Sequence, residues 1–311
     1  MRLDRAMNTA ARVCVVGNAA IDLSVQVNAL PLPGETVLAV ESRSDFGGKG
    51  ANQAVVAARA GAETQLFAAL GCDADGDRIL ARLIDDGVNT QNVVRLSCAS
   101  DLSIVTVDAR GENTIVTRNT AAADYRPDLH TLLDATHAGD WIVQQGNLSA
   151  PVTAEVLDTA RRKQRRTLLN PGPVRFDCRP MLAHVDILVV NQVEAAALTA
   201  LDNPAHAAAA LHDAGAREVL ITLGAQGVLW CDEHGARLAA AVRAQAIDTV
   251  GAGDAFCGTL VAALAQNLTM PIALRWALSV AASSVTRRGS QASFPDRATM
   301  RDLRNASADA E

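Results

Sequence analysis

The chain has 311 residues, a formal net charge of −6 at pH 7, and 49% apolar residues, with aromatic residues making up 3%. A chain of this length can bury one large core, which this composition predicts to be built from Ala, Val, Leu and Ile. The negative charge argues against a nucleic-acid-binding surface.

Cysteine usage and hydropathy indicate a reducing compartment. The six cysteines form no Cys-x-x-Cys pair, and the six histidines lack metal-ligand spacing. The N-terminus lacks the apolar segment of about 7–15 residues that a signal peptide needs. No apolar run approaches the ~20 residues that span a bilayer. We therefore expect a cytoplasmic protein with no membrane or nucleic-acid partner.

The first part of the chain predicts one buried strand and a small separate sheet. Residues 13–16 form a short apolar strand that leads to Asp22. Four alternating segments predict further strands: 23–27, 36–42, 103–107 and 114–117. Because they interrupt a regular strand–helix alternation, we expect a β lid within about residues 23–45 and 101–118. The alternative is an edge extension of the main sheet.

The second half of the chain alternates between strands and helices. The predicted strands are 141–143, 167–169, 186–190, 219–222 and 228–231. The predicted helices are 152–162, 204–214, 255–265 and 271–287. This alternation implies an α/β fold with a mostly parallel sheet sandwiched by helices, in a single domain over residues 1–311. Ligands bind beyond the carboxyl ends of such strands, where Asp22, Asn191, Thr222 and Asp254 should gather because each follows an apolar run.

A glycine-rich segment, residues 46–54, lies at the start of a predicted helix. Its glycines allow close approach of a ligand to the backbone, and Lys49 and Asn52 supply donors for hydroxyl or phosphate groups. The segment lacks the Gly-x-x-x-x-Gly-Lys-Ser/Thr spacing of a P-loop. Taken alone, it also fits a flexible loop at a helix start.

A second segment, residues 248–256, joins a strand-like run to an apolar helix. The N–H groups of Gly251, Ala252 and Gly253 at the helix start can form an anion cradle. Asp254 stands where a general base would take a proton from an attacking hydroxyl. An Asp at this position is also an ordinary helix cap. A cradle beside a base indicates phosphoryl transfer to an alcohol.

Together the two segments resemble the ribokinase-like (PfkB) family of carbohydrate kinases, and the Lys49 segment is most similar to its ribokinase branch. The resemblance extends from Val13 to about Pro295. It includes further motifs at residues 17–22, 191–194, 222–227 and 286–289. It implies an ATP-dependent kinase that phosphorylates a hydroxyl of a small sugar, ribose-like or another pentose or ketose. The family also uses the lid to cover the sugar and, in some members, to form a homodimer.

The resemblance assigns roles to single residues. Asp254 is the base, and Gly251, Ala252 and Gly253 stabilise the transferring phosphoryl group. The sugar-binding residues are Asp22, Gly48, Lys49, Asn52 and Asp254. The nucleotide-binding residues are Asn191, Thr222, Gly224, Gly227 and Gly253.

The resemblance also implies two metal ions beside the ATP. Glu194 is expected to bind Mg²⁺ through water, as part of an Asn-x-x-Glu pair with Asn191 on one helix face. By spacing alone, this pair also fits a solvated helix face. A monovalent cation, K⁺, is expected mainly on carbonyl oxygens of Asp248, Val250, Ser284, Arg287, Gly289 and Ser293.

Two departures from the ribokinase pattern affect the sugar site. Ala20 stands where ribokinase has an Asn, two residues before Asp22. The pocket Glu after the middle strand is also missing, and Asn147, within residues 144–147, is the nearest polar replacement. A hydrogen-bonding site with the wrong partners discriminates strongly against its former substrate. We therefore expect a sugar kinase for which D-ribose is not the best substrate.

Two other functions stay open. A nucleoside kinase of the same family would need an apolar pocket for the base, which one Tyr and five Phe supply poorly. A catalytically silent nucleotide-binding regulator would not need Asp254 and its complete cradle.

Overall fold

The structure is a computed structural model that describes residues 10–110 and 112–308, so the ends of the predicted domain lie outside the described residues. The described strands are β1 (Val13–Val16), β2 (Ala20–Gln26), β3 (Glu41–Gly47), β4 (Thr64–Gly71), β5 (Val93–Leu96), β6 (Asp101–Val107), β7 (Asn113–Arg118), β8 (Trp141–Gln145), β9 (Arg166–Asn170), β10 (Ile187–Asn191), β11 (Glu218–Thr222), β12 (Gly227–Asp232) and β13 (Gly235–Ala240). The described helices are α1 (Lys49–Arg59), α2 (Ala74–Asp85), α3 (Thr120–Asp124), α4 (Leu129–Asp134), α5 (Ala150–Arg162), α6 (Gln192–Thr199), α7 (Pro204–Asp213), α8 (Ala252–Ala265), α9 (Met270–Ser284) and α10 (Arg297–Ala308). Short 3₁₀ turns lie at Arg179–His184 and Gly224–Gln226.

One large sheet carries the fold. Its strand order is β13-β12-β11-β10-β9-β8-β1-β4-β5. The pairs from β5 to β11 are parallel, and β12 and β13 add an antiparallel edge. Helices link the parallel strands and cover both faces, as parallel sheets require. The predicted α/β fold class is therefore confirmed.

The core lies on both faces of the central strands. All four residues of β1 are completely buried, because β4 and β8 flank this strand and helices cover it above and below. Helix α1 is lined by alanines and packs closely against α8. At Gly258 of α8, an added Cβ would lie 2.7 Å from both the carbonyl oxygen of Gln53 and the Cβ of Val56. This contact fixes the spacing of the two helices whose first turns reach the candidate site.

A second sheet has the order β3-β2-β6-β7. Strands β2 and β3 run antiparallel, with Ala20 opposite Gly47, and β6 lies parallel to β2 on its other side. The predicted strand at 36–42 is wrong, because the strand that pairs with β2 is Glu41–Gly47. The side chain of Leu38 is 87% exposed, and the backbone N–H of Val40 is the first to reach β2, at the carbonyl of Gln26.

The predicted helix at 255–265 begins three residues earlier in the structure, at Ala252. Ala252 and Gly253 therefore belong to the first helical turn. Within the described ranges, no helix combines the length and hydropathy needed to cross a membrane.

Candidate active site

The site is organised around Asp254, in the first turn of α8. Gly251 is the N-cap residue, in the left-handed conformation at φ 79°, and no side chain caps this helix end. A Cβ added at Gly253 would meet no atom within 4 Å, so the backbone here faces open space. The N–H of Ala252 donates to the carbonyl of Thr249 at 3.3 Å. An uncapped helix N-terminus that faces open space is suited to an anion.

Helix α1 brings three polar side chains to the buried Asp254 carboxylate. Asn52 Nδ2 donates to Asp254 Oδ2 at 2.9 Å, and Gln53 Nε2 donates to Oδ1 at 3.0 Å. Lys49 Nζ lies 3.8 Å from Oδ1. The Asp254 carboxylate raises the pKa of Lys49, and Glu194 adds to the increase against the opposing effect of burial. The two glycine-containing segments therefore meet at one carboxylate.

Asn52 is held by protein groups on every side. Its Nδ2 also donates to Ser290 Oγ at 2.9 Å, and its Oδ1 accepts from Gln291 Nε2 at 3.1 Å. The residue is 4% exposed. In this structure Asn52 orients the Asp254 carboxylate, and its contact with sugar hydroxyls stays a prediction.

Gln53 was missed as a functional residue by sequence reasoning. Its Oε1 accepts from Gln145 Nε2 at 2.8 Å, and its Nε2 lies 3.3 Å from Asn170 Oδ1 in addition to bonding Asp254. The network thus connects α1 and α8 with the ends of β8 and β9. The available signal was a glutamine inside an alanine- and valine-rich helical run, where a polar group must find a buried partner.

Asp22 follows the buried start of β2 and lies opposite Asp45 of β3. Burial raises the pKa of Asp22 to about 7, and the negative charges of Asp45 and Asp254 contribute further. A Cβ added at Gly47 would lie 2.1 Å from Asp22 Oδ2, so glycine makes room for this carboxyl. Gly48, the N-cap residue of α1 with φ 84°, similarly packs against the backbone of residues 19 and 20.

The predicted nucleotide residues lie at neighbouring strand ends. Asn191 and Thr222 are register partners in β10 and β11. The 3₁₀ turn from Gly224 follows β11, and Gly224 has space around its Cα. Gly227 also has a structural role, because a Cβ there would lie 2.1 Å from the carbonyl oxygen of residue 239 in β13.

Asn191 and Glu194 form a reciprocal capping box at the start of α6. Asn191 Oδ1 accepts from the N–H of Glu194 at 2.8 Å, and Glu194 Oε2 accepts from the N–H of Asn191 at 2.9 Å. Asn191 is the N-cap residue and Glu194 is the third residue of the helix, so the two side chains meet at the start of α6, and their roles toward Mg²⁺ and the phosphates stay predictions. Glu194 Oε1 lies beside Gly172. One carboxylate that acts through water fits Mg²⁺, which retains waters and takes phosphate oxygens as ligands.

The predicted monovalent-cation residues come together in two adjoining segments. Asp248 Oδ1 accepts from the N–H of Val250 at 3.0 Å, and its Oδ2 accepts from the N–H of Gly289 at 2.9 Å. Ser284 and Ser293 are buried, and each hydroxyl donates to a nearby carbonyl. Arg287 follows α9 at the surface, where its guanidinium donates to Ser283 Oγ at 3.3 Å. The expected K⁺ site on the carbonyl oxygens of these residues stays a prediction.

Asn147 lies after β8 and shows no hydrogen bond to Asp254 or Asp22. Its buried Oδ1 has no protein partner, while its carbonyl accepts from Asn119 Nδ2 at 3.2 Å. The neighbouring Gln144 is completely buried, and neither amide atom of its side chain has a protein partner. These groups are left to water or to a ligand.

The described residues contain no group of three or more His, Cys, Asp or Glu side chains that could hold a metal ion alone. The site instead combines a buried carboxylate, an ammonium group and an uncapped helix N-terminus. This set can take a proton from a hydroxyl and stabilise the charge of a phosphoryl group in transfer.

Comparison with known proteins gives the same assignment. The model of the pfkB family carbohydrate kinases matches residues 10–297. The ribokinase of Haemophilus influenzae is 32% identical over 292 residues, covering 91% of this chain and 95% of that protein. The deoxyribokinase of Salmonella typhi is 30% identical over 291 residues, with 91% and 95% covered. The structure of Arabidopsis thaliana ribokinase complexed with ribose and ATP superposes with a TM-score of 0.87 at 27% identity, covering 95% of this chain and 99% of that chain. The chain therefore belongs to the pfkB family of carbohydrate kinases.

Proposed function

We propose that this kinase transfers the γ-phosphate of ATP to a hydroxyl group of a small sugar, a pentose or ketose whose hydroxyl pattern differs from that of D-ribose. The observation that carries the proposal is the buried Asp254 carboxylate, oriented by Asn52 and Gln53 at the uncapped start of α8. A catalytically silent regulator has no need of a carboxylate held in this way.

In the proposed reaction, the sugar oxygen forms a bond to the γ-phosphorus as the bond from that phosphorus to ADP breaks. Asp254 accepts the hydroxyl proton and later releases it to solvent. The N–H groups of Gly251, Ala252 and Gly253 stabilise the charge on the phosphoryl oxygens. Lys49 balances the negative charge that the carboxylate and the phosphates bring together.

The sugar is proposed to lie between Asp22 and the start of α1. Asp22 accepts from sugar hydroxyls, and the backbone at Gly48 allows close approach. Lys49 donates from the opposite side. Asn52 acts indirectly, through Asp254, and Asn147 offers its unpartnered Oδ1 to a further hydroxyl.

The nucleotide is proposed to lie along the ends of β10 and β11. Its residues are Asn191, Thr222, Gly224, Gly227 and Gly253. Glu194 would bind Mg²⁺ through water, and bound Mg²⁺ supplies charge neutralisation for the phosphates. The carbonyl groups of Asp248, Val250, Ser284, Arg287, Gly289 and Ser293 would bind K⁺ and so support the cradle.

The experiment that tests this function is a panel of pentoses, ketohexoses and nucleosides assayed for ADP release with ATP. The reaction should require Mg²⁺ and run faster in K⁺ than in Na⁺. Phosphorylation of a sugar supports the proposal, whereas turnover confined to nucleosides or absent with every compound contradicts it. Equal rates in K⁺ and Na⁺ contradict the cation site alone.

D-Ribose is expected to be a poor substrate in this panel. Ala20 is 2% exposed and offers a methyl group where an amide would bond a hydroxyl. Each buried hydroxyl left unpaired costs roughly 1–3 kcal/mol, so two lost partners lower kcat/KM about a few hundredfold. A sugar that lacks or inverts the hydroxyl facing Ala20 should be preferred, and deoxyribokinase of Salmonella typhi is among the relatives. A tenfold or greater lead of D-ribose over the panel would contradict this prediction.

The second sheet is proposed to act as a lid over the sugar and as the contact of a cytoplasmic homodimer. Val116 of β7 and its register partner Ile104 of β6 are 70% and 37% exposed and lie on one face of the sheet, opposite to the face of Asp22. Replacing Ile104 and Val116 together with Lys should shift the mass measured by sedimentation equilibrium from a dimer to a monomer. A wild-type monomer at micromolar concentration contradicts the proposal.

A further inference from the structure

Asp45, on β3, has a side chain that links the second sheet to a distant part of the chain. Its Oδ2 accepts from the backbone N–H of Ser290 at 3.0 Å and from that of Ala292 at 3.3 Å. Its Oδ1 accepts from the N–H of Phe46 at 2.8 Å. The carboxylate therefore bonds strand β3 to the segment that follows α9.

The backbone conformation at Gly289 allows the contact between this segment and Asp45. Gly289 has φ 96°, and a Cβ added there would lie 2.7 Å from Asp45 Oδ2. Glycine allows both the left-handed conformation and the close approach. The N–H of Gly289 donates to Asp248 Oδ2, so carboxylates from two parts of the chain hold successive N–H groups.

Ser290 continues the connection toward the base. Its Oγ accepts from Asn52 Nδ2 at 2.9 Å, and the same Nδ2 donates to Asp254 Oδ2 at 2.9 Å. Ser290, Gln291, Asn52 and Asp254 are each no more than 4% exposed. In a buried network each hydrogen bond restricts the geometry of the next.

We propose that Asp45 is a positioning residue that fastens the second sheet to residues 290–292 and, through Ser290 and Asn52, orients the Asp254 carboxylate. The proposal rests on the proposed function, in which Asp254 is the base and the second sheet covers the sugar. Asp45 itself has no hydrogen bond to Asp254. Asp45 thereby holds the second sheet, which covers the sugar, in a fixed position relative to the Asp254 carboxylate.

Three variants test the proposal. Asp45→Ala removes the acceptor, and Asp45→Asn retains one acceptor oxygen while removing the charge. Glu41→Gln is the matched control, because Glu41 is exposed and lies on the same strand at the same alternation as Asp45. We expect Asp45→Ala to lower kcat about tenfold or more, since it removes hydrogen bonds to a charged acceptor. The KM for ATP should stay within about twofold, Asp45→Asn should recover part of kcat, and Glu41→Gln should match the wild type.

Amide hydrogen exchange of Ser290 and Ala292 provides a second measurement that needs no substrate. Both amides should exchange faster in Asp45→Ala than in wild type or Glu41→Gln. Unchanged exchange, or a kcat for Asp45→Ala equal to that of Glu41→Gln, would overturn the proposal. If wild type phosphorylates no sugar, the sugar-kinase function fails and exchange still decides whether Asp45 fastens the sheet. If Asp45→Ala does not fold, Asp45→Asn is measured instead, and wild-type values in both assays would overturn the proposal.

Discussion

Asp254→Asn is expected to lower kcat by roughly 10²–10⁴-fold, the contribution typical of a general base. The amide has the size of the carboxylate but cannot take the proton of the sugar hydroxyl. ATP binding should stay within a few-fold of wild type, because Asn191 and Thr222 lie at the ends of β10 and β11 and the substitution leaves the backbone N–H of Gly253 in place. Steady-state kcat from ADP release, with ATP affinity from calorimetry, checks both parts.

Thr259→Val is the matched control for this variant. Thr259 is buried on the same helix, its hydroxyl has no protein partner, and valine has the same shape. The control should keep near-wild-type kcat, which separates loss of the base from disturbance of α8. Turnover above about a tenth of wild type in Asp254→Asn would show that Asp254 is not the base.

The kcat/KM for the sugar is expected to fall about tenfold for each pH unit below about 7. The pKa of Asp22 is raised to about 7 by burial and by two neighbouring carboxylates, so Asp22 gains a proton as the pH falls through this value. A protonated Asp22 loses the charge that makes it a strong acceptor for sugar hydroxyls. Bound sugar favours the ionised form, so the kcat profile should be flatter than that of kcat/KM.

Asp22→Asn should remove this acidic limb and lower kcat/KM at pH 8 by roughly 10–100-fold, the cost of a charged hydrogen bond. Ser103→Ala is a suitable control, because Ser103 lowers the pKa of Asp22 by a hydrogen bond. Its loss should move the limb to higher pH without abolishing it. An acidic limb that persists unchanged in Asp22→Asn would assign the titration to another group.

Alternation of strands and helices was sufficient to predict the main sheet, because parallel strands buried on both faces are apolar throughout. The family resemblance implied that the two glycine-containing segments share one site, and in the structure Lys49, Asn52 and Gln53 of the first segment meet Asp254 of the second. The strand at 36–42 failed because alternation alone does not reveal where a partner strand begins. Residues 36–40 have the right pattern, but register pairing with β2 begins only at Glu41, opposite Gln26.

The supporting residues of the site could not be predicted from local pattern. Gln53, Ser290 and Asp45 take their roles from partners more than 90 positions away in the chain. The contacts of Asn52 with Asp254 and Ser290 were not predicted for the same reason. Sequence motifs therefore identify residues beside a backbone that a ligand can approach better than they identify residues that position other side chains.

Close contact between α1 and α8 limits how the substrate range of this enzyme can be altered by protein engineering. Any side chain larger than hydrogen at position 258 would meet the backbone of Gln53, so α1 would shift against α8. Random substitutions in the parts of α1 and α8 that border the pocket would thus disturb Asp254 together with the residues that bind the sugar. Residues at the strand ends, Ala20 and Asn147, lie outside this contact. A library confined to those positions is expected to vary the hydroxyl groups that are recognised while the contact between Gly258 and α1 is kept.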